Sequence, residues 1–316
     1  MLSGNCLRGN RTAASVLTAT TIAVAIILIA AAAYFVLSDD KEDKSYMTCG
    51  TTMSYTINGD ILGLPITGAM DVEIIGESSE EYFAEFNIEI TRLGVTESSV
   101  YYWMSNKESG APASAIREGS VKIDTIDGTM DLDVWKYVMD GMNIRSYIDP
   151  ISGFEYKVDI FSEIGAVDIT AEMVEKDPKW SNGTYSRSDS IGVRHSYLVT
   201  KADDTWAEGF VIECVADCED GFGISYLIRS GSNTILEYDV SKNPQGLPEK
   251  SEYAHQTTIL QDTIDGNVLV QVWILEGYEN GGYARFYCDP VSNIVYQIEM
   301  VGGNTGFATA TLTSKG

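Results

Sequence analysis

The chain has 316 residues, 44% of them hydrophobic, with 18 tyrosines and a formal net charge of −25. That length suits about two domains, and the apolar content exceeds what a disordered chain carries. Residues 1–38 hold Arg8 and Arg11 and no acid, so the remainder sets 19 basic against 46 acidic side chains, a balance of −27; nucleic acid and anionic headgroups both need a positive surface, and neither fits such an exterior.

Residues 12–38 carry no charge, and Val16 to Leu37 gives 22 largely apolar residues. At about 1.5 Å per residue such a helix crosses the roughly 30 Å hydrocarbon layer. The expectation is a short cytoplasmic segment at 1–15 and one transmembrane signal-anchor helix at 16–37. Arg8 and Arg11 precede it while Asp39, Asp40, Glu42 and Asp43 follow it. The positive-inside bias therefore puts the N-terminus in the cytoplasm and everything from the charged stalk at 38–45 onward outside the cell membrane. Two other readings stay open. Ala30 to Ala33 would suit a cleavable secretory signal, although Tyr34 to Leu37 continue the apolar run past them. Arg8-Gly9, followed by a polar residue and a long hydrophobic helix, resembles the prepilin-type leader of type IV pilin-like proteins. The resemblance implies cleavage after Gly9, leaving Asn10 first, and a helix that serves as an assembly spine; the family's usual glutamate five residues into the mature chain is Ala14 here.

From Met47 the texture changes to alternating apolar and polar residues rich in Thr, Val, Ile and Tyr, with Asn-Gly and Asp-Gly turns, which are strand and hairpin signals. Asn58-Gly59 predicts a first hairpin between SYTI and ILGL. DVEII at 71–75 and YFAEFNIEI at 82–90 flank a polar turn, and SVYYWM follows at 99–104. The alternation lapses at 105–119 and again at 241–257, two dissimilar loops of the kind on which function is displayed. After the first loop, side-chain alternation puts Met130, Leu132 and Val134 on one face, matched by Val268, Val270 and Val272. Trp206-Ala207-Glu208 is read as the counterpart of Phe83-Ala84-Glu85.

RSYIDPISGFEY at 145–156 returns as RFYCDPVSNIVY at 285–296 with six of twelve positions identical, and DTIDG at 124–128 returns at 262–266. Each DTIDG leads into a Val-Trp pair. The chain therefore reads as a tandem duplication: a β repeat at 46–177, a linker at 178–183 broken by Pro178, and a second β repeat at 184–316. Each is expected to be an antiparallel domain of roughly eight strands forming a sandwich, half-barrel or barrel.

The repeated twelve-mer is first of all turn chemistry. Asp149-Pro150 and Asp289-Pro290 pre-set a turn that the aspartate caps, and Gly153 exchanges with Asn293, the two residues that most readily accept a left-handed conformation. Its functional alternative is a polar constellation of Arg145, Tyr147 and Asp149 on one strand face. Cys214 and Cys218, near a hairpin end, are candidates for a local disulfide outside the cell. Asn182-Gly183-Thr184 is a glycosylation acceptor pattern. Asp217, Glu219 and Asp220 loosely follow the start of a calcium loop, but Ile228 stands where its twelfth-position glutamate belongs. His195 and His255 are the two histidines; no nucleophile elbow, zincin motif, phosphate loop or dinucleotide fingerprint accompanies them. No catalytic set, metal or cofactor is expected. The reading is a membrane-anchored extracytoplasmic binding or structural module for an unknown protein, glycan or apolar ligand. A lipocalin-like or lipoprotein-carrier-like binder is the alternative, followed by a pilin-like surface subunit or a secreted hydrolase.

Overall fold

A computed structural model describes residues 46–79, 81–106, 115–139, 141–162, 165–181, 190–201, 208–219, 221–244, 246, 253–278, 282–301 and 307–316. The proposed anchor at 16–37 lies outside them. The chain falls into two compact units, one within residues 11–186 and one within 187–316. Both are all-β and antiparallel, and no helix occurs among the described residues.

The first unit contains β1 (Tyr46–Met47), β2 (Thr52–Ile61), β3 (Leu64–Glu77), β4 (Glu81–Arg92), β5 (Val95–Asn106), β6 (Ile116–Thr125), β7 (Gly128–Met139), β8 (Met142–Ile148), β9 (Glu155–Phe161), β10 (Val167–Asp177) and β11 (Trp180–Ser181). The second contains β12 (Arg194–Lys201), β13 (Gly209–Cys218), β14 (Gly221–Ser230), β15 (Asn233–Ser241), β16 (Ala254–Thr263), β17 (Gly266–Tyr278), β18 (Gly282–Cys288), β19 (Val295–Val301) and β20 (Phe307–Lys315). Apart from the short β1–β11 pair, the registers join the first unit's strands in the order β6-β7-β8-β9-β10-β2-β3-β4-β5. The second unit follows the same order, β16-β17-β18-β19-β20-β12-β13-β14-β15. Each unit is thus one continuous nine-stranded sheet rather than two packed sheets. Among the described residues no register joins β5 to β6 or β15 to β16, so these strands end the pairing order of each unit there.

Strict alternation turns one face of each sheet inward. Along β2, Met53, Tyr55 and Ile57 are buried while Asn58 is exposed. Their register partners Val72 and Met70 continue the same face, and Ile169 and Ala171 extend it on β10. The second unit repeats this with Tyr197, Ile212, Ala308 and Ala310. Leu132 and Val134, with Val270 and Val272 in the second unit, are buried.

Two local readings change. Asn58 and Gly59 lie inside β2, and the hairpin turns four residues later at Leu62-Gly63, where φ is 56° and 75°. Glycine is needed at 59 because a Cβ there would stand 2.3 Å from the Asp168 carbonyl oxygen on β10; the residue serves a close strand approach rather than a bend. Glu208, read as the counterpart of Glu85, does not mark an equivalent strand either: it leads into β13, which occupies the place of β3, whereas Ala84 and Glu85 sit on β4; Trp206 and Ala207 fall outside the described residues.

The two repeated motifs meet in space. The β6–β7 hairpin overhangs β8, whose register with β7 begins only at Asp133, and its tip carries Asp127. That carboxylate accepts hydrogen bonds from the hydroxyl of Tyr156, the last residue of the twelve-mer, and from Lys176 Nζ of β10 at 2.5 Å. In the second unit Asp265 accepts from Tyr296 at 2.5 Å and from Lys315 at 2.5 Å. The clamp draws the overhang onto the core, where Ile123 and Met130 pack beside Leu132. Lys176 also lies 4.5 Å from the Phe154 ring centre and 4.8 Å from that of Tyr156, so its charge is held on three sides.

Removing one clamp hydroxyl, by Tyr156→Phe or Tyr296→Phe, is expected to lower the unfolding free energy by about 1 kcal/mol, the ordinary worth of such a bond. Tyr156→Phe combined with Asp127→Asn should cost less than the sum of the two, as contacting residues do; urea denaturation of the four variants measures the coupling.

Candidate functional site

The twelve-mer spends its polar groups locally. Asp149 accepts from the Ile151 amide at 3.1 Å and, through its other oxygen, from the Ser152 amide at 3.0 Å and hydroxyl at 2.5 Å. Asp289 accepts likewise from the Val291 amide at 2.9 Å and the Ser292 hydroxyl at 2.6 Å. Those bonds hold the Asp289 carboxyl below its ordinary value, Ser292 contributing most. Pro150 and Pro290 occupy the turns, and Gly153 and Asn293 take φ of 77° and 60°. Arg145 and Tyr147 share one face of β8, near enough for the guanidinium to act on the phenol, but each bonds elsewhere. Arg145 pairs with Glu118 at 2.9 Å, and the Tyr147 hydroxyl donates to Asp159 at 2.7 Å, while Asp149 is engaged in its own turn. Burial, then the Asp159 bond, pushes the Tyr147 hydroxyl up to about 12.

The clamp carboxylates Asp127 and Asp265 are both held below the ordinary carboxylate value, first by the lysine bond and then by the tyrosine bond. A depressed folded-state pKa contributes stability that is present above the unfolded value of 3.8 and lost as pH falls through the folded one. In both clamps the two donors converge on Oδ2 of the carboxylate, and these groups brace the fold.

A different group stands out in the interior of the first unit. Glu155, at the start of β9, is fully buried, and neither carboxylate oxygen has a well-aligned hydrogen-bond partner, Ser146 approaching without completing one. Burial pushes its pKa well above the ordinary value, and Ser146 opposes this only in part. The Ser146 hydroxyl lies 3.3 Å from that of Tyr137, and Tyr55, whose own hydroxyl is raised by burial and then by Glu155, donates to the Glu155 backbone carbonyl at 3.0 Å. The second unit shows what the scaffold itself needs here. Ser146 stands opposite Trp135 and Val158, Phe286 opposite Trp273 and Ile298. Ile148 pairs with Glu155, Cys288 with Val295. By the same registers Tyr137 answers to Leu275. Tyr137, Ser146 and Glu155 are thus Leu275, Phe286 and Val295 in the other unit, while the tyrosine contact persists, Tyr197 donating to the Val295 carbonyl at 3.1 Å. The sequence held the signal, in the one position of the twelve-mer where Glu155 meets Val295, but only burial shows its meaning.

The remaining candidates lie apart. His195 on β12 is buried with Nδ1 unpaired, and burial and then Lys315 lower its pKa. His255 on β16 meets the Trp273 ring edge-on at 5.0 Å; four strands separate the two histidines in the sheet. Cys214 and Cys218 stand four residues apart along β13, about 13 Å at a strand's rise, against the Cα separation of at most about 7 Å that a disulfide spans. Burial pushes the Cys214 thiol up to about 12. Asp217 and Glu219 adjoin the β13–β14 turn, while Asp220 and Asn182 fall outside the described residues. No group of three or more metal-ligating side chains occurs among the described residues.

No protein-family model matches the chain, and no curated protein matches it. Among solved structures it is similar to MucB in complex with MucA(peri), with a TM-score of 0.28 and 9% identity over 84% of this chain and 87% of that one. MucB alone gives 0.27 and 9% over 79% and 91%, and the Pseudomonas aeruginosa MucA/MucB complex 0.27 and 8% over 85% and 88%. A likeness of that size carries no argument about fold or function.

Because the Glu155 pKa is raised in the folded state, its contribution to stability is fully present below the unfolded value of 4.5 and is lost as pH rises toward the folded one. Glu155→Val, which copies the second unit, should therefore stabilise the protein at pH 7 by about 1–3 kcal/mol, the penalty of a buried unsatisfied polar group. It should also flatten the decline in stability above pH 4.5, as read by denaturation at pH 4.5 and pH 8.

Proposed function

We propose that the protein is a non-catalytic, membrane-anchored extracytoplasmic binding module, built from two tandem copies of one β unit and carried by the helix at 16–37. Its partner is an extended polypeptide that adds to a sheet edge.

The observation that carries this reading is the character of the edge strands. Exposed apolar side chains stand on all four: Val95 and Val100 on β5, Ile116 and Val121 on β6, Ile235 and Leu236 on β15, Ile259 and Leu260 on β16. Soluble proteins blunt such edges with charge, proline or cover. Apolar flanks on such strands support strand addition, in which main-chain bonds give affinity and alternate side chains give specificity. The contrast within the fold is local: Leu260 and Leu269, a register pair, are 67% and 57% exposed, whereas their counterparts Lys122 and Asp131 form an ion pair at 3.7 Å.

The interior favours this module over the carrier. A lipocalin-like binder needs an apolar cavity of about 300 Å³ or more. Both inner faces are instead occupied by large side chains, Tyr55, Phe86 and Ile88 in one and Tyr197, Phe286 and Ile298 in the other, each at most 6% exposed.

Panning the full-length protein in zwitterionic nanodiscs against displayed ten-residue peptides should enrich sequences that alternate apolar and polar residues. Leu236→Lys and Leu260→Lys should abolish their capture. Failure to enrich any peptide, with a small apolar molecule co-purifying in native mass spectrometry, would replace this reading with the carrier.

A further inference from the structure

The end of the first unit formed by the β2–β3 and β4–β5 turns carries three features that the scaffold does not explain. The first is Arg92, the last residue of β4, which alternation and its pairing with Ile66 turn inward. It is 8% exposed, and its Nε and Nη1 have no hydrogen-bond partner. Nη2 makes one long contact, 3.4 Å, to the Ile61 carbonyl. The Asp60 carboxylate is engaged by the Gly63 amide at 2.6 Å. A guanidinium cannot discharge itself as a carboxyl can, so its burial without an anion is left uncompensated.

The second feature is the pair of turns beside it. Ile61-Leu62-Gly63-Leu64 and Arg92-Leu93-Gly94-Val95 are hairpins of the same design, with Leu62 at φ 56° and Leu93 at φ 50°. Such first positions are filled by Asn, Asp or Gly because a left-handed conformation costs other residues about 1–2 kcal/mol. Two leucines in that conformation are strain, and strain at an observed outlier is a reason to look for function. The third is exposure: Leu62 is 57%, Leu93 69% and Val95 63% exposed, with open space about Gly63 and Gly94. In the second unit the turn after β14 is Gly231-Ser232, which is neither apolar nor cationic, so the fold does not require the arrangement.

We propose that this end of the first unit binds a free single-chain amphiphile with a carboxylate head, the headgroup taking the Nε and Nη1 edge of Arg92 and the chain lying on Leu62, Leu93 and Val95. A guanidinium fork matches a carboxylate with two parallel bonds. A free molecule is the source rather than an anionic bilayer, whose surface the net charge of −25 repels. Val95 belongs to β5 as well, but Arg92, Leu62 and Leu93 lie off the edge strands, so either reading can fail without the other.

The test is photolabelling of the full-length protein in phosphatidylcholine nanodiscs with a diazirine-bearing fatty acid, followed by peptide mapping. Label is expected on residues 62–64 and 93–95, displaced by dodecanoate. It should fall by about tenfold in Arg92→Met, the worth of one charge-assisted pair, and equally when the methyl ester of the probe is used. Should Arg92→Met fold poorly, Leu62→Asn with Leu93→Asn relieves the backbone strain and should lower labelling in a protein at least as stable as the wild type. Labelling spread evenly over the chain, or undiminished with the ester, contradicts the proposal. Loss of label on adding anionic lipid to the nanodiscs contradicts the free-molecule source.

Discussion

Each unit depends on a carboxylate at the tip of an overhanging hairpin, held by a tyrosine hydroxyl and a lysine ammonium: Asp127 with Tyr156 and Lys176, Asp265 with Tyr296 and Lys315. Among the described residues neither helix nor disulfide covers the inner face of either sheet. Each sheet must close over itself, and the β6–β7 and β16–β17 hairpins do so by reaching past the strands they pair with. Apolar contact alone would hold such an overhang without fixing where it lands. The clamp fixes the landing point, because one carboxylate can accept from both donors only when three strands stand in one arrangement.

With the scaffold held twice by the same means, each unit becomes a control for the other. Where they agree, as in the Asp149 and Asp289 turns and the Tyr55 and Tyr197 contacts, the residues serve the fold. Where they disagree at buried or strained positions, the residue is not needed to build a unit. Glu155 against Val295 is one such place, a buried acid where an aliphatic suffices. Arg92 with its leucine turns is another. Both lie in the first unit. The second has its own such place in His195, buried with Nδ1 unpaired where the first has Met53, and the more apolar outer flank, with Leu260 and Leu269 where the first has Lys122 and Asp131.

Much of the fold was legible because a strand's period of two leaves its mark on sequence: the strand faces at Leu132 and Val270 and the turn chemistry of the twelve-mer could be read directly. Asn58-Gly59 misled because glycine answers two demands, reversal and close approach, and sequence does not say which; here the Asp168 carbonyl decides. The clamp was half visible, since both DTIDG and the twelve-mer were seen to repeat, but that they touch each other, and that Lys176 and Lys315 complete the contact, follows from strand order alone. Cys214 and Cys218 looked close in number and are far apart in space, because a strand separates what a turn would join. Glu155 and Arg92 were passed over for another reason. A charged residue looks like surface until burial is known, and alternation, which reports the inward face, ends at both: Glu155 opens β9 and Arg92 closes β4.

The central claim is that β5, β6, β15 and β16 are open edges offered to a partner, while the inner strands are closed by the clamps. Hydrogen exchange on the full-length protein tests it most directly. The account predicts slowest exchange in β2, β9 and β10 and in β12, β19 and β20, with alternate amides of the four edge strands exchanging fast because they face no strand. Edge strands protected as uniformly as the central ones would contradict it, since the seam would then already be closed.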